Sequence, residues 1–187
     1  GSFWKSNWVL IITSLPCRHH LDEKSCTKAV IAFVSSRIDY HNGILIGATQ
    51  KQLGRLQTLQ NNAARLVTQT PRRDHITPVL IKLHWLPVKE RIDYKVLLHI
   101  HNALHRDGAP SYLKDLFKSH MPSRALRSAE QHKLQVSRTK TKNGDSAFSV
   151  YGARLWNALP HELRSNSSQP FFKTKLKTFL FKRSFNV

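Results

Sequence analysis

Chemistry could first be sought at His99, His101 and His105, because His101 and His105 stand four residues apart, the spacing that puts two zinc-ligating imidazoles on one helix face. Asn102 follows His101 where a metalloprotease carries its glutamate general base, so that reaction is excluded. No third ligand is evident, and the three read as surface or polar-face histidines. Cys17, His19, His20 and Cys26 receive the same reading: the two cysteines form no C-x-x-C pair and no disulfide framework. Seven scattered glycines make no phosphate-cradling loop, and no nucleophile elbow or Ser/His/Asp spacing occurs. Neither a metal nor an organic cofactor is expected in this chain.

The basic residues make a stronger case. Thirty Lys and Arg against 11 Asp and Glu give a net charge of +19, more than solubility requires, which points to an acidic partner. Nucleic acid is favoured over a membrane surface, and no apolar run approaches the roughly 20 residues of a spanning helix. From Lys118 to Lys142 the only acid is Glu130, and Pro170 to Val187 holds none. Arg124, Arg127, Arg138, Lys140 and Lys142 are therefore candidate phosphate contacts, with Ser137, Thr139 and Thr141 as neighbouring donors. Lys173, Lys175, Lys177, Lys182 and Arg183 form a second set, where Phe171 or Phe181 could stack on an unpaired base or belong to a core or docking face.

These side chains need elements to hold them. The 187 residues, 40% hydrophobic, suffice for one sizeable domain or two small ones. The organising feature is Trp85-Leu86-Pro87, where a short helix begun at Thr77-Pro78 stops and a longer one starts. Pro87 suits the first turn of that second helix, and Thr77 is expected to cap the short one. Ile92, Val96, Ile100 and Ala103, flanked by Leu97 and Leu104, give the long helix one apolar face. Trp85, Leu86, Pro87, Ile92, Val96 and Trp156 are the expected core, because both tryptophans sit among leucines rather than on a polar face. Upstream, Cys26, Ala29, Val30, Phe33, Val34, Arg37 and Ile38 trace one helical face from Asp22, and a second helix runs from about Thr49 to Thr70 before Pro71. Downstream come a short helix at Ser111, a basic loop over 118–145 in which only Leu134-Gln135-Val136 alternates like a strand, another short helix at Pro160–Arg164, and a last helix capped by Ser168.

Residues 1–20 are left as an unassigned apolar leader or non-homologous segment. The run Trp8–Leu15 has the length of a signal-peptide core but no small-residue cleavage site follows, and cysteine usage favours an intracellular, nuclear or cytoplasmic setting. The chain starts Gly1-Ser2 rather than with Met, as a fragment, a partial reading frame or a cloning scar would.

A series of motifs then carries a family resemblance. Phe33-Val34-Ser35-Ser36-Arg37-Ile38-Asp39-Tyr40, Leu59-Gln60-Asn61-Asn62-Ala63-Ala64-Arg65-Leu66, Asp74-His75-Ile76-Thr77-Pro78, Leu83-His84-Trp85-Leu86-Pro87-Val88, Ala109-Pro110-Ser111-Tyr112-Leu113, Pro122-Ser123-Arg124, Ala147-Phe148-Ser149-Val150 and Arg154-Leu155-Trp156-Asn157-Ala158-Leu159-Pro160 stand in collinear order. Together they resemble the C-terminal region of LINE-type (non-LTR) retrotransposon reverse transcriptases, over about residues 21–187. The resemblance implies helices that follow a polymerase palm as its thumb and post-thumb. In that family the palm carries an aromatic-x-Asp-Asp box. This chain has no Asp-Asp, and Asp22-Glu23 is its only adjacent acidic pair, so it lacks the clustered carboxylates that hold Mg²⁺ for polymerisation. Magnesium is expected only in the palm.

The expectation is thus a mainly α chain, an irregular helical bundle with a long basic loop and room for one short β-hairpin. It divides into a helical thumb-like domain over 21–117, the basic loop over 118–145 and a C-terminal helical segment over 146–187. Its expected partners are RNA and DNA, held without sequence preference through phosphates, and the palm of the same polyprotein. The alternative is an inactive helical packing or interaction module, a decayed element fragment.

Overall fold

A computed structural model describes residues 21–40, 43–105, 109–119 and 132–186. Arg124, Arg127 and residues 1–20 lie outside them, as does the side chain of Lys142. The described residues are mainly α-helical, as the hydrophobic periodicity requires, and contain no β-strand. They form two compact units. One takes the described residues before 41 together with Thr49–Lys89; the other takes the described residues from 43 to Ala48 and from Glu90 onward. The division at Lys89 and Glu90 therefore falls inside what the sequence reading treats as one domain.

In the first unit, α1 (Glu23–Val30) runs through a π-helical turn (Ile31–Ser35) into α2 (Ser36–Tyr40). Asp22 starts it by accepting the N–H groups of Lys24 at 3.1 Å and Ser25 at 3.4 Å. Of the expected face, Cys26, Val30, Val34 and Ile38 make a buried stripe, whereas Phe33 and Arg37 are exposed. A strict four-residue spacing drifts by about 40° per step around an α-helix, and the wider π turn takes back part of that drift. The turn thus keeps this stripe on one face.

The next helix, α3 (Gln50–Thr68), begins with a reciprocal cap. Thr49 Oγ1 accepts the Gln52 N–H at 3.3 Å, and Gln52 Oε1 accepts the Thr49 N–H at 2.8 Å. Gln69 closes the helix in the left-handed conformation, φ 57°, two residues before Pro71. Arg65 then pins the following loop by donating to the carbonyls of Pro71 and Asp74.

The corner has a definite geometry. Helix α4 (Thr77–Lys82) ends with His84 at φ 52°. The His84 N–H donates to Ile81 O at 3.0 Å and the Trp85 N–H to Leu80 O at 2.9 Å, the paired bonds of a Schellman stop. Thr77 is not the cap: it lies inside the helix, Ile76 precedes it, and no side chain caps. Pro87 stands just ahead of α5 (Val88–His105) rather than in its first turn, so Val88 carries the first orphan N–H. Gln57 Oε1 accepts that N–H at 2.8 Å, and the buried Gln60 donates from Nε2 to the Leu86 carbonyl at 2.8 Å. Two amides on α3 therefore satisfy the backbone on both sides of Pro87, while Trp85 and Leu86 are buried as expected.

From Glu90 onward α5 belongs to the second unit, with α6 (Ser111–Leu116), the four-residue α7 (Lys142–Asp145), α8 (Phe148–Asn157), α9 (His161–Ser165) and α10 (Gln169–Phe185). Its core joins Ile92, Val96, Leu97, Ile100 and Ala103 of α5 to Val150, Ala153 and Trp156 of α8 and to Phe172, Leu176 and Leu180 of α10. Gly152 permits this packing, because a Cβ there would lie 2.8 Å from Ile100 Cδ1. Asp93, only 2% exposed, accepts Tyr151 Oη and, at 2.9 Å, Arg183 Nη2, joining α5, α8 and α10.

Among the described residues the expected hairpin is limited to one antiparallel bridge, between Ser119 and Leu134. The reason is Asn157, whose amide accepts the Leu134 N–H at 2.8 Å and donates to the Leu134 carbonyl at 2.9 Å, doing for a single residue what a partner strand would do. Trp156 Nε1 donates to His132 O at 3.0 Å beside it. The described part of the basic segment is therefore held against α8 rather than free. Ser168 does precede α10, yet its hydroxyl caps nothing; its own N–H donates to Asn166 Oδ1 at 2.8 Å.

Candidate nucleic-acid interface

Helix α10 positions the best-defined cations. Its residues Phe172, Leu176 and Leu180 are fully buried, which fixes the rotation of the helix and leaves Lys173, Lys175, Lys177 and Lys182 exposed. No Asp or Glu occurs between Gln169 and Phe185, and among the described residues no carboxylate pairs with these four lysines. Arg183 differs: its guanidinium is bound to buried Asp93, so it serves packing and its charge is compensated. Lys175 also carries its ammonium 5.7 Å from the centroid of Phe171, a ring that remains 40% exposed on an otherwise polar surface.

On the basic segment, Arg138 and Lys140 are exposed. The neighbouring hydroxyls are largely committed to folding. Thr139 donates to Asp145 Oδ1, which also takes Arg154 Nη2 at 2.8 Å, and Thr141 Oγ1 accepts the Gly144 N–H at 3.0 Å. The Thr139 hydrogen bond first, then Arg154, holds the Asp145 carboxyl below the usual carboxylate range. Thr139 is thus a turn residue and not a donor awaiting a phosphate.

The histidine pair is placed differently from the sequence reading. His101 is fully buried, stacked on Phe172 with centroids 4.2 Å apart, and its Nε2 lies 2.9 Å from the Asn166 carbonyl. A carbonyl only accepts, so Nε2 carries the proton and Nδ1 is a bare nitrogen. That Nδ1 and the Nε2 of His105 are buried without hydrogen-bond partners among the described residues. Burial lowers the pKa of both; that of His99, which is exposed, is lowered by partial desolvation and then by Lys95. Among the described residues no three metal-ligating side chains come together. His101 is a core residue because its ring fills the space between α5 and Phe172; the apolar face was read without it, since a histidine in an apolar stripe gives no periodicity signal of its own.

Sequence reasoning also missed Arg164 on α9, 5% exposed, with Nε and Nη1 unpartnered among the described residues and its pKa lowered by burial. The only hint was its place beside Leu163, after the apolar Trp156 and Leu159.

What these residues define is a helical unit presenting an acid-free cationic helix. No family model, curated protein or solved structure matches the chain.

Proposed function

We propose that the chain binds nucleic acid as the thumb and post-thumb portion of a LINE-type reverse transcriptase, holding RNA template and DNA through their phosphates while a palm elsewhere in the polyprotein performs polymerisation. The observation that carries this reading is α10, whose four exposed lysines face solvent with no carboxylate on the helix, within a chain of net charge +19. Cations in that state attract a phosphate backbone by releasing its counterions, and the attraction needs no base recognition. Phosphate contact by Arg138 and Lys140, and by Arg124, Arg127 and Lys142 beyond the described residues, belongs to the same proposal. The family assignment rests on the motif series.

The test is fluorescence anisotropy with a labelled RNA/DNA hybrid over a salt series. Binding should weaken linearly in log salt, and reversing Lys173, Lys175, Lys177 and Lys182 to Glu should weaken it alike for unrelated sequences. Absence of binding at low salt refutes the reading.

A second reading, a packing module for the palm, is favoured by one observation: Ile31 and Phe33 on the π turn and Tyr40 beyond it are 47%, 61% and 79% exposed. Loss of nucleic-acid binding with intact association to a palm fragment would select it.

A further inference from the structure

The lysines of α10 are not equivalent. Successive residues on an α-helix turn by about 100°, so Phe171, Lys175, Thr178 and Lys182 fall within an arc of about 60°, centred about 130° from the buried stripe. All four are exposed. Lys173 and Lys177 lie on the other side of the helix. The Thr178 hydroxyl is spent on the Thr174 carbonyl at 3.0 Å, leaving a ring and two ammonium groups as the reactive features of this line. It extends for about 16 Å along the axis.

We infer that this line is a binding track for single-stranded nucleic acid, in which the Phe171 ring stacks on an unpaired base and Lys175 and Lys182 take backbone phosphates. The inference rests on the proposed nucleic-acid function and specifies its ligand. A singly exposed ring is ordinary on a protein surface, and Phe171 is informative for what stands beside it. Here its described neighbour is the Lys175 ammonium, which no carboxylate pairs among the described residues. That contact, weak at an exposed site, holds the cation one helical turn from the ring. A single strand offers both complements at once, a flat base and a phosphate within a side chain's reach. A duplex offers phosphates only, because its bases already stack on each other.

The experiment compares a short oligothymidylate with a blunt DNA duplex, using the full chain and two variants, Phe171→Leu and the pair Lys175→Ala with Lys182→Ala. Leucine keeps an apolar side chain at an exposed position, so the fold should survive, as far-ultraviolet circular dichroism will show; Phe171→Trp serves as a second ring-bearing variant. Phe171→Leu should weaken oligothymidylate binding about ten-fold, the worth of one stacked base, and leave duplex binding unchanged. Phe171→Trp should bind at least as well as the parent. The lysine pair should lower the salt slope for the single strand by about 1.4, whereas Phe171→Leu should leave that slope intact. Equal binding of oligothymidylate by Phe171→Leu and the parent overturns the track, and if the lysine pair still weakens both ligands the broader nucleic-acid reading stands without it. Failure of the parent to bind either ligand at low salt overturns both.

Discussion

The junction at Asp93 offers the sharpest test of the second unit. Its carboxylate is almost wholly buried and holds Tyr151 from α8 and Arg183 from α10. Replacing it with alanine removes both bonds and leaves the Tyr151 hydroxyl without its acceptor. A hydrogen bond to a charged group contributes about 1.5–3 kcal/mol, and the tyrosine arm should lie in that range. The arginine arm counts for less, under about 1 kcal/mol, because the Arg183 side chain is 39% exposed and water screens it. Asp93→Ala should therefore destabilise by about 3 kcal/mol, which for a unit of roughly 100 residues lowers the melting temperature by 10 °C or more. Urea unfolding monitored by circular dichroism gives the free energy, and a cycle with Tyr151→Phe isolates the coupling. The double variant should cost clearly less than the sum of the singles, since each single already breaks the same bond. A loss below about 0.5 kcal/mol in Asp93→Ala, or strict additivity in the cycle, would refute this account of how the three helices are joined. The same series separates the roles of the cations: Arg183→Met should lower stability with little change in nucleic-acid affinity, and Lys175→Ala should do the reverse.

The remaining predictions follow from other parts of the structure. His99, His101 and His105 have folded-state pKa values depressed below the ordinary value, so their stabilising contribution is present above about pH 6.5 and is lost as pH falls through the folded values; the urea midpoint should drop between pH 7.5 and 5, and His101→Gln, which still donates to Asn166, should flatten that dependence. Gly54 lies on α3 with nothing within 4 Å of a built Cβ, so Gly54→Ala should stabilise by about 1 kcal/mol, whereas Gly152→Val, forced against Ile100 and Phe117, should destabilise strongly in the same melting assay. Arg164→Met should raise the melting temperature, because it replaces a buried guanidinium, whose Nε and Nη1 have no hydrogen-bond partner among the described residues, with an apolar chain of similar length; a clear loss of stability would show that the charge has a partner in solution.

How much of this was legible depended on whether a residue's burial follows from its own chemistry or from someone else's backbone. Ile92, Val96, Ile100, Trp85 and Trp156 were legible because apolar area repeats at helical spacing and burial is its direct consequence. The start of α1 near Asp22 and the end of α3 ahead of Pro71 followed from local backbone rules. The polar core was not legible, since hydropathy places Asp93, His101 and Arg164 at the surface and nothing local contradicts it. The phosphate candidates divide by the same criterion: Lys173, Lys175, Lys177 and Lys182 are exposed where spacing put them, but Arg183 is claimed by a carboxylate 90 residues away.

The corner shows why such residues are necessary rather than incidental. A proline between two helices forces the chain to turn without a donor at Pro87, and it leaves the Leu86 carbonyl and the Val88 N–H facing away from any intrahelical partner. Burying Trp85 and Leu86 draws those groups out of water with them. The unpaired pair would cost about 1–3 kcal/mol each, comparable to what burying one large apolar side chain contributes. Gln57 and Gln60, three residues apart on α3 and linked by their own hydrogen bond of 3.1 Å, cancel that cost while Ala63 and Ala64 are buried one turn on. An amide inside an apolar stripe, opposite a proline corner elsewhere in the chain, is thus a signal of tertiary pairing, and its meaning emerges only when the two stretches are read together.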